Sequence, residues 1–126
     1  MKTVLSTASA SQPGGAYSQG VVANGFFFSA GFGPFDPHTG EIPEGVAPQT
    51  RRVLQNIQAV LAEAGLDFSD IVKVTAHLHN VERDFAAYND VFTDLMPQPY
   101  PVRTTVGSNL GRILVEIDVV AAIRSG

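Results

Sequence analysis

The sequence predicts an α+β fold in which two helices pack on one face of a mixed β-sheet. Two segments repeat apolar residues at the spacing of an amphipathic helix, and at least four shorter segments are apolar or alternate like strands. Their order is β-β-loop-α-β-α-β-β, so some strands are joined by a tight turn and others across a helix. Because tight turns join antiparallel strands and crossovers join parallel ones, we expect a sheet with both antiparallel and parallel strand pairs.

The first two predicted strands lie on either side of Asn24-Gly25. Residues 21–31 read VVANGFFFSAG, and an Asn-Gly pair between apolar runs predicts a hairpin turn. Phe26, Phe27 and Phe28 are interpreted as two core residues and one interface residue rather than as a stacking platform for bases. Three Pro and two Gly within GPFDPHTGEIP then predict a loop of tight turns.

Two helices and three strands complete the prediction. Val46 to Ala64 carries an apolar stripe at helical spacing, with Pro48 in its first turn and Gly65 at its C-terminal cap. Glu82 to Leu95 carries a second stripe and ends before a cluster of prolines. The remaining strands are residues 70–80, which alternate between apolar and polar, 102–107 and 113–122.

Composition limits the class of protein. The chain has 126 residues, 44% of them hydrophobic, which suffices for a single domain over residues 1–126 with its own core. The absence of cysteine excludes thiol nucleophiles, thiolate metal sites and redox switches. A formal net charge of −4 without a basic run argues against a nucleic-acid partner. With no secretory signal or apolar span of ~18 residues, we expect a cytoplasmic protein without a membrane partner.

The sheet face away from the helices needs a cover of its own. Phe26, Phe28 and Val120 are among the residues that would leave apolar surface exposed there. We expect another copy of the chain to bury this face, which makes the protein a homo-oligomer.

Arg103 and Glu116 are the residues most indicative of chemistry, because each lies among small or apolar neighbours in a predicted strand. An unpaired buried charge is costly, so either the two form a structural ion pair, or one of them awaits a ligand, or both lie at a solvent-filled cleft. A hairpin that pairs them directly, with residues 108–111 as its loop, would put both on one sheet face. In a cleft, the pair could clamp a substrate carboxylate and orient water without a metal.

His77 and His79 lie on one face of a predicted strand, at a spacing that suits half of a metal site. No third ligand can be assigned, so we expect histidines that face solvent or an interface, and no metal. The candidate serine and threonine nucleophiles lack the motifs that activate them and are interpreted as hydrogen-bonding residues.

Four segments resemble the RidA/YjgF family of reactive-intermediate deaminases in their order and spacing. They are GAYSQG (15–20), SAGFGPFDPHTGEIP (29–43), DFAAYNDVF (84–92), and PVRTTV followed by VEIDVVA within 101–121. The resemblance covers nearly the whole chain, and the Pro-x-Arg strand followed by the hydrophobic-Glu-Ile strand is its most specific motif. It implies a chorismate-mutase-like fold assembled as a homotrimer, with sites in clefts between subunits.

The resemblance also implies an activity. Members hydrolyse enamines and imines, such as 2-aminoacrylate and 2-imino acids, to 2-keto acids and ammonia without a cofactor. Arg103 would then hold the substrate carboxylate, and Glu116 would position or activate water. The substrate pocket would further include Tyr17, Gly31, Asn89 and Thr105.

Three positions depart from the family pattern. Ala30, Phe32 and Thr105 stand where members often carry Ser, Gln and Cys, which bears on substrate preference more than on the reaction. Two other functions stay open. One is a non-catalytic trimer that binds keto acids, which would need Arg103 but not Glu116. The other is an endoribonuclease or translation inhibitor, which the net charge disfavours.

Overall fold

A computed structural model describes residues 1–124, and within them two α-helices pack on one mixed sheet of six strands. The predicted α+β class is therefore confirmed. The helices are α1 (Val46–Glu63) and α2 (Val81–Leu95), and a short 3-10 turn spans Phe68–Asp70. The strands are β1 (Thr3–Leu5), β2 (Gly20–Ala23), β3 (Phe26–Ser29), β4 (Ile71–Leu78), β5 (Val102–Gly107) and β6 (Val115–Ala122).

The strand order across the sheet is β1-β2-β3-β6-β4-β5. β4 and β5 are parallel, and every other neighbouring pair is antiparallel. The predicted hairpin turn joins β2 to β3, with Asn24 at φ 52° and Gly25 at φ 81°. The sequence prediction missed β1, because three residues are too few to establish a period.

The core lies between the helices and one face of the sheet. Alternate residues of β6 point to the helices and are buried, as the two-residue period of a strand requires. The largest buried side chains of the core are Phe27, Leu54, Ile57, Leu61, Leu78, Tyr88 and Ile117.

None of the helices within residues 1–124 is both long and apolar enough to cross a membrane.

β5 and β6 do not form the predicted hairpin, because β4 lies between them. Arg103 is aligned with the buried Val74 of β4 and points to the helices, whereas Glu116 is aligned with His77 on the opposite face. The prediction assumed that consecutive strands are neighbours. Here α2 carries the chain across the sheet, which makes β5 parallel to β4 and leaves the other edge of β4 to β6.

The sheet face away from the helices, called here the open face, carries large apolar residues that are partly exposed. Phe26 and Phe28 are 43% and 40% exposed, whereas Phe27 between them is completely buried. The expectation of two core phenylalanines and one at an interface was therefore wrong. In a strand only every second side chain can reach the core. Other exposed apolar residues of this face are Val4, Val102 and Val106.

Candidate functional site

Five of the six residues predicted to form the site line two separate clefts, and the sixth, Thr105, lines neither. Tyr17, Gly31 and Glu116 line a cleft of about 450 Å³, called here the Glu116 cleft. Asn89 and Arg103 line another of about 360 Å³, the Arg103 cleft. One chain therefore brings the predicted residues together as two groups rather than as one.

Arg103 rests on a row of aromatic rings from α2. Its guanidinium carbon is 4.7 Å from the ring centroid of Phe92, 5.4 Å from that of Tyr88 and 5.8 Å from that of Phe85. Residues three and four apart share a helix face, and the negative faces of aromatic rings stabilise a cation. Within residues 1–124, no carboxylate lies at ion-pair distance from Arg103. Its planar set of N–H donors is therefore left for an anion from outside the chain.

The rest of the Arg103 cleft is uncharged. Asn89 and Thr93 lie one turn apart on α2, and Tyr100 and Pro101 precede β5. Thr105 lies on the same side of β5 as Arg103, where its hydroxyl oxygen is 3.0 Å from that of the buried Tyr88. Among the described residues, those that line this cleft carry no carboxyl group. The cleft can bind a small anion but has no acid of its own to activate water.

Glu116 lies directly against the backbone of Gly31 in the other cleft. A Cβ atom at position 31 would be 2.9 Å from the Glu116 Oε2 atom, so glycine is what allows the carboxylate to approach. Tyr17 lines the same cleft and is 53% exposed, and its hydroxyl accepts a hydrogen bond from the Gly14 N–H at 3.1 Å. An acid, a phenol and an open backbone segment thus face one space.

A β-bulge where β3 meets β6 brings Gly31 to this position. Ser29 fills the gap in the ladder. Its hydroxyl accepts a hydrogen bond from the Val119 N–H at 3.0 Å and donates one to the carbonyl of Ala30 at 2.8 Å. Bulges redirect the residues beside them, and this one turns the chain toward the Glu116 carboxylate.

Buried amide side chains hold the loops around the Glu116 cleft. Gln19 bonds main-chain atoms of residues 7–11, and Asn56 accepts the Ser11 N–H at 3.1 Å. Asn56 also donates to two carbonyls of the loop after β3, at 3.2 and 3.1 Å. The sequence prediction missed both residues. The available signal was that Asn56 occupies a position in the apolar stripe of α1, where a polar side chain requires partners.

His77 and His79 hold the loop between β5 and β6. The Nδ1 atom of His77 is 2.7 Å from the Ser108 Oγ atom, and that of His79 accepts the Leu110 N–H at 3.1 Å. At the far end of the loop, Gln49 accepts a main-chain N–H at 2.8 Å. The histidine pair that was considered as half of a metal site thus positions a loop.

Asp36 is a second acid in the Glu116 cleft, but its own partners occupy it. The backbone N–H groups of Thr39 and His38 and the Arg52 guanidinium hold the pKa of Asp36 well below its usual range. Among the described residues, Glu116 has no such ion pair. Glu116 is therefore the acid in this cleft that is free to act on a ligand or water.

A family model described as Endoribonuclease L-PSP matches residues 7–123, nearly the whole chain. The chain belongs to the RidA/YjgF family.

Relatives of this RidA/YjgF chain match over most of their length. A RutC family protein of Pyrococcus horikoshii is 43% identical over 124 residues, which covers 96% of this chain and 98% of the relative. A protein of Escherichia coli with the provisional name reactive intermediate deaminase TdcF is 37% identical over 109 residues, 84% of each chain.

Solved structures of the family share the fold. RidA from an Antarctic Psychrobacter has a TM-score of 0.91 and 33% identity, with 96% of this chain and 99% of that chain covered. The structure of Escherichia coli TdcF with bound serine has a TM-score of 0.88 and 34% identity, with 98% and 99% covered. The mixed sheet with two helices is therefore the fold of the RidA/YjgF family.

In this RidA/YjgF chain, Arg103 and Glu116 are not a structural ion pair. They lie on opposite faces of the sheet with β4 between them. Of the alternatives that the sequence left open, the structure rules out an ion pair between these two residues within one chain and places each of them at a cleft. Each of these two charges has a cleft of its own, and the Arg103 cleft lacks the acid that the Glu116 cleft provides.

Proposed function

We propose that this chain hydrolyses 2-imino acids and their enamine tautomers to 2-keto acids and ammonia, in a site that two copies of the chain build together. The division of the predicted residues between two clefts carries the proposal. The Arg103 cleft offers an unpaired guanidinium, and the Glu116 cleft offers an unpaired acid. Hydrolysis of an imino acid needs both, one for the carboxylate of the substrate and one for the attacking water.

The open face and the edge of the sheet supply the surface for a second copy. β5, which carries Arg103, is an edge strand, and its Val102 is 68% exposed. If the Arg103 side of one copy meets the Glu116 side of the next, the contact joins two different surfaces. Such contacts close into a ring when the rotation between neighbouring copies is a whole fraction of a turn. We propose a ring of three, the number that the family resemblance implies.

The proposed reaction uses the electrophilic carbon of the imine. Arg103 binds the C1 carboxylate through paired N–H donors and thereby fixes C2. Glu116 accepts a proton from water while the water oxygen forms a bond to C2, and the C=N electron pair moves to nitrogen. The nitrogen takes up the proton from Glu116, which gives a carbinolamine. Glu116 then transfers the hydroxyl proton to the nitrogen, and the C2–N bond breaks as the C2=O double bond forms and ammonia leaves. The products are a 2-keto acid and ammonia, so the substrate and one water account for every atom.

The comparison proteins support this chemistry. TdcF is provisionally named a reactive intermediate deaminase, and its structure contains serine. Serine carries a carboxylate on C1 and a nitrogen on C2, as a 2-imino acid does. A ligand of this shape in a relative that shares the fold supports a 2-imino acid as the substrate here.

The activity is tested in an assay in which the imines are generated in the reaction mixture. An amino-acid oxidase generates the imine, semicarbazide traps what remains, and acceleration of imine loss is measured. We expect Arg103→Ala and Glu116→Gln each to lower kcat/KM by about 10²- to 10⁴-fold. Arg51→Ala, which removes a positive charge from the exposed side of α1, serves as the charge-matched control. Failure of the folded wild type to accelerate imine loss would contradict the proposal.

Mixed oligomers test whether the site is shared between copies. Equal amounts of the Arg103→Ala and Glu116→Gln chains are unfolded together and refolded. Random mixing then places an intact Arg103 next to an intact Glu116 in about one quarter of the sites. We expect about a quarter of the wild-type activity, compared with little in either variant refolded alone. No recovery from an oligomer that has mixed would place the site within one chain.

A non-catalytic metabolite-binding protein is the alternative that shares Arg103. Binding of a keto acid depends on the carboxylate clamp, whereas turnover also depends on the acid. Calorimetric titration of Glu116→Gln with a keto acid separates the two. If the wild type binds as Glu116→Gln does and hydrolyses no imine, the binding function is correct.

The description of the family model also names an endoribonuclease. The formal net charge of −4 repels a phosphate backbone. A nuclease would show binding to RNA that weakens steeply with added salt. We expect no such binding.

A further inference from the structure

Arg112 is a cation without a partner in the Glu116 cleft. It lines the cleft together with Glu116 and Asp36. The nearby Arg52 is already bound to Asp36 at 2.6 Å. In the part of the chain that the structure describes, no carboxylate lies at ion-pair distance from Arg112. The exposed guanidinium is thus the positive group of this wall that a ligand can reach.

An aromatic ring supports the Arg112 side chain. Its guanidinium carbon lies 5.6 Å from the ring centroid of Phe35. The ring in turn packs on Gly33, where a Cβ atom would be 2.6 Å from the Phe35 Cε2 atom. Ile113, the next residue after Arg112, is buried against the same glycine. The base of the arginine is therefore fixed while its charged end stays open.

The loop that carries Arg112 is also held in place. Gly111 precedes it at φ 71°, a conformation that favours glycine. Main-chain N–H groups donate to His79 and Gln49, and a hydrogen bond joins His77 to Ser108, so the loop is held on either side. A charged group on a fixed support loses less conformational freedom on binding than one on a mobile surface chain. These features distinguish Arg112 from an ordinary surface arginine such as Arg51.

We propose that Arg112 selects substrates with a second carboxylate, namely the imines of acidic amino acids. The inference rests on the proposed function. There the C1 carboxylate is bound by Arg103 of the adjacent copy and C2 lies at Glu116, so the side chain of the substrate occupies the Glu116 cleft. The carboxylates of Glu116 and Asp36 would repel an anionic side chain in that cleft. Arg112 offsets this repulsion and offers a bidentate contact to the distal carboxylate.

The test compares two imines in the same assay, one from glutamate with two carboxylates and one from methionine with a single carboxylate. The quantity measured is the ratio of their kcat/KM values. We expect Arg112→Ala to lower this ratio about 10- to 100-fold, because a charge-assisted contact is lost for one substrate alone. Arg112→Glu should lower it further. Arg51→Ala changes the net charge equally and should leave the ratio as in the wild type.

The outcomes separate the inference from the proposed function. If the wild type hydrolyses both imines and Arg112→Ala has the same ratio, the inference is overturned while the deaminase stands. If the wild type hydrolyses neither, the deaminase fails, and the inference is decided by calorimetric titration with 2-oxoglutarate and 2-oxobutanoate. If the wild type binds 2-oxoglutarate more tightly than 2-oxobutanoate and Arg112→Ala does not, the inference is supported. If the ratio of the two Kd values is the same in the wild type and in Arg112→Ala, the inference is overturned. Circular dichroism verifies that each variant is folded.

Discussion

The Arg103 cleft and the Glu116 cleft are held by different kinds of structure. Arg103 and the rings beneath it belong to a strand and a helix, and the helical period alone brings Phe85, Tyr88 and Phe92 to one face. The Glu116 cleft is bounded mostly by loops, which buried amides tie to the core. Regular elements thus hold the cation that would bind the substrate. Irregular segments surround the acid that would act on it, so that side should be the more sensitive to small changes.

Apart from replacement of Arg103 or Glu116 themselves, the largest expected effect is on the loop side, at Gly31. In Gly31→Ala the new Cβ atom would lie 2.9 Å from the Glu116 Oε2 atom, so the carboxylate must move. Because a displacement of about 1 Å in a reacting group can cost about 100-fold, we expect kcat for imine hydrolysis to fall by about that factor. The end of the Glu116 side chain can rotate away, so the urea midpoint should change little.

Gly15→Ala is the matched control, because its Cβ atom would have no contact closer than 3.7 Å, to the ring of Tyr17. If Gly31→Ala kept the wild-type kcat, Glu116 would not be acting at the position that the structure gives it.

The next largest effect is on stability. It is tested by removing one hydrogen-bonding side chain near each of the two clefts. Asn56→Ala leaves the Ser11 N–H and two loop carbonyls without their partner, at a cost of about 1–3 kcal/mol in the free energy of unfolding. Thr105→Val removes a single neutral hydrogen bond to Tyr88, which contributes about 1 kcal/mol. Urea denaturation measures both. A larger loss in Thr105→Val than in Asn56→Ala would contradict the comparison.

A smaller effect is expected from the rings beneath Arg103. Phe92→Leu keeps an apolar side chain but removes the ring closest to the guanidinium. A cation–π contact contributes about 0.5–1 kcal/mol, so the Kd of a keto acid should rise about two- to fivefold. Phe68→Leu, in the 3-10 turn, removes a ring elsewhere and is the control. Equal effects of the two variants would show that the ring itself does not support the arginine.

The smallest expected effect is a loss of stability at low pH that comes from the turn at Asp36. The N–H groups of Thr39 and His38 and the Arg52 guanidinium lower the pKa of Asp36 in the folded chain. Its ionised form therefore adds stability above the ordinary value of 3.8, and that stability is lost as the pH falls below it. Asp36→Asn should lose less stability than the wild type over that range in urea titrations. If the free energy of unfolding falls equally with pH in the wild type and in Asp36→Asn, the ionisation of Asp36 does not contribute to the stability of this turn.

The regular half of the molecule was predictable to the extent that local patterns determine it. β5 spans the residues predicted, and α1 ends one residue before the predicted end. The pairing of β5 was not predictable, because it depends on α2 crossing the sheet, and no residue of β5 or β6 encodes that path. This error also misplaced Arg103 and Glu116 as neighbours on one face.

The loop half was predictable only by resemblance. The family motif pointed to Tyr17, Gly31 and Glu116, which do line one cleft. The supports of that cleft have no motif, because Gln19 and Asn56 bond main-chain atoms of distant segments, which any residue could provide. The sequence showed only that Asn56 is a polar residue within the apolar stripe of α1. That pattern indicates a buried hydrogen bond but not its partner.

The place of β6 in the sheet has a consequence for synthesis of the chain. β6 is the last of the six strands within residues 1–124, yet it pairs with both β3 and β4 and so joins the two parts of the sheet. As the chain leaves the ribosome, β1 to β3 and the β4–α2–β5 unit emerge first, each with an unpaired strand edge. Only when residues 115–122 emerge can the parts combine and Glu116 reach Gly31. Until then, the nascent chain presents its most aggregation-prone surface, and this is the stage at which a chaperone would protect it most.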